Sequence, residues 1–251
     1  MLIFFTKEYF TVFKEVDQKF IVLSFIRGIC FLAMNVFIFI SVVNLQFATA
    51  MTLTFSSPFF IVILSIILLQ DKVGIYRWSA VIIGFVGVVM IMKPTSEIFS
   101  LYSIFPILTA IAWAFTVIIL KFIQGNHSTA KIQLYTLIFI VIGGLLLFFV
   151  TTGHVEIKNF KDFVLMIMTG VLGGTAAILF IYSYRLISAS KIASFEYLGI
   201  PSSFILGWIF FNEAPWSQLF PGVIVIIFAG MIIIWRDNIK KKSIEGNKQI
   251  Y

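Results

Sequence analysis

The feature that most constrains this chain is its series of long, nearly uncharged apolar runs. Eight segments, at about 20–42, 48–69, 77–93, 102–123, 132–152, 162–184, 192–211 and 218–235, each hold 17 to 23 residues with few ionisable groups. About 20 apolar residues in a helix cross the roughly 30 Å of bilayer hydrocarbon. The apolar residues come in continuous blocks and do not alternate, so the spans read as helices and not as strands of a barrel. The third run is short and ends at Met92-Lys93-Pro94, where proline stops a helix. Connections are brief, so neighbouring spans run antiparallel. The expected fold class is an all-α integral membrane bundle of about eight full transmembrane helices.

Composition agrees. Hydrophobic residues make up 61% of the 251 residues and charged residues 12%, against roughly 45–50% and 25% in soluble domains. That balance excludes a cytosolic enzyme, a nucleic-acid-binding domain, a disordered chain and a secreted disulfide scaffold. The net charge of +7 follows from basic cytoplasmic loops and does not require nucleic acid. A single cysteine, Cys30, reads as packing.

Charge also orients the spans. Lys7, Lys14, Lys19, Lys72, Arg77, Lys121, Lys131, Arg185, Lys191, Arg236, Lys240, Lys241, Lys242 and Lys248 fall on one face, against Lys93, Lys158 and Lys161 on the other. The bias places both termini in the cytoplasm, with 238–251 as a basic cytoplasmic tail. Arg27 is left over, well inside a span.

The chain repeats itself weakly. A shift of 143 residues superposes Ala50 on Ala193, Pro58 on Pro201 and Gly87 on Gly230, and nearly aligns Gln70-Asp71 with Asn212-Glu213. The shift covers five spans, an odd number, so the two copies enter the bilayer from opposite faces. Inverted repeats of this kind occur in secondary transporters, which rock one half against the other around a site near the midplane. The reading divides the chain into a first repeat at 1–94 and a second at 102–237. Carrying the shift back from Tyr102 puts the start of the first copy about 41 residues before Met1. The first span of that copy, and most of its second, are therefore expected to be missing, through a misplaced start codon or a degraded gene.

Arg77-Trp78-Ser-Ala-Val-Ile-Ile-Gly84-Phe-Val-Gly87-Val-Val-Met-Ile-Met-Lys93-Pro94, with Ala48-x-Ala50, Pro58 and Gln70-Asp71 before it, resembles the end of the first EamA domain of the drug/metabolite transporter superfamily. The family usually has Glu where Asp71 stands. Ala193-Ser-Phe-Glu196-Tyr197-Leu, Pro201 and Gly207-Trp208-Ile-Phe-Phe-Asn-Glu213-Ala-Pro215 resemble the end of the second. The resemblance covers about residues 20–237. It implies ten helices in two inverted halves and transport of a small metabolite or drug across the inner membrane. The Phe-Glu-Tyr-Leu stretch is reminiscent of the S-adenosylmethionine uptake branch. The missing first helix, which ordinarily helps line the cavity, is the departure from the family.

Polar groups at membrane depth usually face a cavity or a partner. Glu196, with Gly199, Ser203 and Gly207 at helical spacing, is the first candidate for the substrate or proton pathway. A carboxyl there could bind and release a proton as access alternates, or merely pair with Lys191 or Arg185. Tyr197 adjoins it. Arg27 lies about 10 Å deep at 1.5 Å per residue, as a counter-charge for an anionic group or for Glu196, or as a snorkelling side chain. Asn35 could bond substrate or a neighbouring helix. Thr49, Thr52 and Ser56 form a second polar stripe, with hydroxyls that could instead bond their own helix. Trp113 sits mid-span, placed to stack on a flat or cationic ligand or simply to pack. Pro58 and Pro201 are hinge candidates, and Gly170-x-x-x-Gly174 and Ala80-x-x-x-Gly84 allow close helix approach.

No cofactor or metal is expected, since His127 and His154 lie in loops on opposite faces and no catalytic or nucleotide-binding motif is present. The partners expected are a small-molecule substrate and the lipid bilayer, with a homodimer left open and no nucleic acid. The leading function is a secondary active transporter working by alternating access. The alternative is a truncated non-transporting remnant or a partner subunit.

Overall fold

In a computed structural model, residues 16–92 and 101–196 are described, except 46, 124, 126 and 151–158, together with scattered positions between 199 and 228. Every secondary-structure element among them is helical: α1 Gln18–Asn44, α2 Phe47–Thr54, α3 Ser57–Leu69, α4 Ile75–Met92, α5 Ile104–Ile123 after a 3-10 turn, α6 Thr129–Val150, α7 Phe160–Leu186 and α8 Ala189–Glu196. Four helical stretches, 18–44, 101–123, 129–150 and 160–186, are long and apolar enough to cross a membrane. The last two expected spans lie largely outside the described residues.

Where the sequence suggested one span over 48–69, the structure has two helices. The ladder of α2 tightens at its end: the Phe55 amide donates to the Met51 carbonyl, whereas the Ser56 amide reaches only three residues back, to Leu53. Ser56 then caps α3 and Pro58 stands in its first turn, where a missing amide proton costs nothing. At the far end Gln70 takes a left-handed φ of 55°, and the amides of Gln70 and Asp71 both donate to the Ser65 carbonyl. A side chain at positive φ costs about 1–2 kcal/mol. Gln70→Gly is therefore expected to stabilise the protein by about 1 kcal/mol, read as a higher melting temperature in detergent.

The chain divides into two compact units: Met1–Ala33 with Phe115–Ile187, and Met34–Ala114 with Ser188–Tyr251. In the first unit α1 and α6 meet along a glycine seam. A Cβ built on Gly28 would stand 2.7 Å from the Phe139 Cβ, and one on Gly143 would stand 2.7 Å from the Leu32 Cδ2. Phe25 and Phe139 stack edge to face beside the seam. The α7 helix is covered by little protein: Met166, Leu172 and Leu179 are more than half exposed, and a Cβ on Gly170 or Gly174 would meet nothing within 4 Å. The expected close approach at that glycine pair is thus not made among the described residues. Exposing such apolar side chains to water would forfeit roughly 1.5–3 kcal/mol each, so the surface suits lipid. One end of α7 is held from outside, because the Lys121 ammonium donates to the carbonyls of Tyr184 and Ile187. These last carbonyls have no intrahelical donor. Lys121→Met is expected to cost about 1–2 kcal/mol of stability, measured by thermal unfolding.

In the second unit α3 packs against α8, and both touch α4. Ala50 and Ala193, the pair superposed by the sequence shift, are both fully buried. On α4, Ala80, Gly84 and Gly87 are buried at spacings of four and three, leaving Phe59 to stack on Phe85 and meet Trp78 edge to face.

Candidate functional site

Each unit holds one cluster of polar groups at the depth of its helices. In the second unit it is built on Glu196, at the end of α8. The Trp113 indole Nε1 donates to both carboxylate oxygens at 3.3 Å, and the Ser57 hydroxyl donates to Oε2 at 3.3 Å. Trp113 comes from α5 and Ser57 from the first turn of α3, so three helices converge on one carboxyl. The break at Ser56 is what turns Ser57 toward it: the Ser56 hydroxyl returns to the Leu53 carbonyl at 2.7 Å, as the backbone-bonding reading foresaw, and Ser57 is left to reach across. An indole can only donate a hydrogen bond. The pocket therefore accommodates the carboxylate as an acceptor. Gly199 lies one helical turn on, and a Cβ there would stand 3.1 Å from the Phe55 ring. Glu196 and Trp113 are half-buried, and Ser57 is buried.

In the first unit the cluster centres on Arg27. Only 3% of this side chain is exposed. Its Nη1 donates to the Thr136 hydroxyl at 2.6 Å and its Nε to the Thr116 carbonyl at 3.4 Å. The Thr136 hydroxyl passes its own proton to the Ile132 carbonyl at 2.8 Å. The side chain points into the helix packing, so it does not snorkel. One turn earlier on α1, the Ser24 hydroxyl is fully buried and has no hydrogen-bond partner among the described residues. Nearer the helix start, Phe20 lies under the Lys131 ammonium, 5.5 Å from its ring centroid, and against His127 at 4.1 Å between ring centroids. Burial and then the Lys131 charge hold the His127 imidazole below its ordinary pKa, and Arg185 adds to this against an opposing Asp17. His127 is therefore mostly neutral near pH 7.

The remaining candidates are placed as follows. Asn35 is half-buried midway along α1. Thr52 lies in α2, but its side chain is outside the described residues, as are Tyr197, Pro201 and Ser203. Pro58 is buried at the start of α3. Among the described residues no group of His, Cys, Asp and Glu is arranged to hold a metal. The sequence reading missed Ser57, having favoured its neighbour Ser56. It also missed Ser24, Thr116 and Thr136. The signal for Ser24 was its spacing of three from Arg27.

The EamA-like transporter family matches this chain over residues 1–93 and 100–236. The chain belongs to that family. It is a multi-pass membrane protein of EamA type. Relatives include a riboflavin transporter of Brucella anthropi, 29% identical over 194 residues that make up 74% of this chain and 66% of that protein. A riboflavin transporter of Rhizobium johnstonii is 30% identical over 74% of this chain and 61% of its own length. An S-adenosylmethionine uptake transporter of Rickettsia bellii is 28% identical over 75% and 64%. This EamA chain thus spans roughly three fifths to two thirds of these relatives. A crystal structure of another protein shares the fold with a TM-score of 0.67 at 12% identity, covering 89% of both chains.

Proposed function

We propose that this EamA protein is a secondary active transporter that moves a small metabolite across the inner membrane by alternating access of two inverted repeats. The observation that carries the reading is the Glu196 carboxyl, held by donors from two other helices, Trp113 of α5 and Ser57 of α3. A carboxyl shared by three helices can change its proton or its cationic partner only if those helices readjust, and that links occupancy to shape. The sequence repeat, and the burial of both Ala50 and Ala193 that it pairs, support two related halves, 1–94 and 102–237, within a bundle of about eight spans with both termini cytoplasmic. Pro58 and the helix break beside it supply a hinge, matched by Pro201 in the second half. From the sequence, Tyr197, Thr52, Asn35 and Ser203 are carried forward with Glu196 as candidates for the substrate or proton pathway.

The relatives named as riboflavin and S-adenosylmethionine transporters point to a flat heteroaromatic metabolite as the first solute class to try. The test is reconstitution into proteoliposomes with labelled riboflavin and labelled S-adenosylmethionine, measuring gradient-driven uptake and solute exchange separately. Saturable uptake of either solute that collapses with the proton gradient is expected. Neither uptake nor exchange of any solute in the class would overturn the reading and leave a partner subunit in its place.

A further inference from the structure

We infer that Arg27, Ser24 and Thr136 form a recognition site for an oxyanion, the carboxylate or phosphate group of the transported solute; this rests on the transporter reading above. A guanidinium has five N–H donors in a planar fork. Arg27 uses two of them, one at the long distance of 3.4 Å, and among the described residues no acidic side chain pairs with it. A charge this deeply buried normally has a counter-charge, because the apolar interior penalises it otherwise. Beside it on the same helix face the Ser24 hydroxyl is fully buried and, among the described residues, without a partner, although nearly all buried polar groups in proteins find one. The guanidinium keeps N–H donors to spare and the Ser24 hydroxyl, three residues away on one face of α1, has a donor of its own to offer, so an acceptor group suits both. Thr136 faces them from α6, already donating to Ile132 and so holding its oxygen toward the guanidinium as an acceptor.

The chemistry selects an oxyanion over a halide. The fork of Arg27 presents parallel N–H groups that match two oxygens of one carboxylate or phosphate, and the Ser24 hydroxyl adds a donor beside them.

Matched solutes test this by equilibrium dialysis with the purified protein in detergent: riboflavin against riboflavin 5′-phosphate, and S-adenosylmethionine against its decarboxylated form. Inorganic phosphate and acetate serve as competitors. The anionic member of at least one pair is expected to bind about tenfold more tightly, and Arg27→Gln is expected to bring the ratio near one without weakening the neutral member. Arg27→Lys, which keeps the charge but loses the fork, and Ser24→Ala are expected to lower the ratio severalfold. These two variants carry the test if Arg27→Gln does not fold. Equal binding or no binding of both members in the wild type, or a ratio that survives in the folded variants, overturns the site. Inorganic phosphate that competes as tightly as the anionic solute also overturns it, because the site then holds a free ion. Dialysis does not depend on turnover, so retained preference without transport would sink the transporter reading and not this site.

Discussion

Glu196→Gln is expected to lower gradient-driven uptake by roughly 10- to 150-fold, the equivalent of losing a charge-assisted hydrogen bond worth about 1.5–3 kcal/mol. The substitution keeps the shape of the side chain and one oxygen to accept from Trp113, so the melting temperature should barely move. What it removes is the capacity to be charged. The two halves of the assay separate the two roles open to this carboxyl. If Glu196 carries the coupling proton, exchange of solute across the membrane persists in the variant while accumulation against a gradient disappears. If it binds the solute directly, exchange and accumulation fall together. Trp113→Phe keeps the aromatic bulk and deletes the N–H that bridges both oxygens; about 5- to 10-fold is expected, near one neutral hydrogen bond. Uptake unchanged in both variants would remove Glu196 from the pathway while leaving the fold intact.

The second large effect concerns packing. Gly28→Ala is expected to destabilise the protein by about 1–3 kcal/mol, the usual cost of forcing extra volume into a filled interior. The added methyl would stand 2.7 Å from the Phe139 Cβ, an atom fixed to its own backbone, so α1 and α6 must separate. Gly143→Ala offers a control within the same seam, because its clash is with the end of the Leu32 side chain, which can turn away. That variant should lose less than about 1 kcal/mol. Alanine at Gly173, where nothing lies within 4 Å, should be neutral or mildly stabilising, since alanine favours a helix over glycine by about 1 kcal/mol. Thermal unfolding of the three variants in one detergent gives the ranking. A Gly28 variant as stable as the Gly173 variant would mean that the seam is not tight.

The all-helical membrane character was legible because it rests on runs of apolar residues, and bilayer thickness turns run length directly into spans. The site was only half legible. Glu196, Arg27 and Trp113 stood out because charged or large polar groups are scarce inside spans. Their partners did not, because a serine or threonine in an apolar run bonds its own backbone by default, as Ser41 does with Phe37 and Thr109 with Phe105. Nothing in sequence distinguishes those hydroxyls from Ser57, which donates to Glu196 on another helix, or from Thr136, which bonds its own Ile132 carbonyl and also accepts from Arg27; three-dimensional neighbours decide it. Gly28 was passed over for the same reason, while Gly170-x-x-x-Gly174, the more recognisable pattern, has no neighbour to accommodate.

The lengths of α1 and α7 carry a last implication. Each has 27 residues and so measures about 40 Å, against a hydrocarbon layer of roughly 30 Å. Rods this long must lean or let their tips project into the headgroups. A leaning rod can stand up or lie over as the surrounding sheet swells or thins, so these helices give the protein a built-in tolerance for membranes of unequal depth.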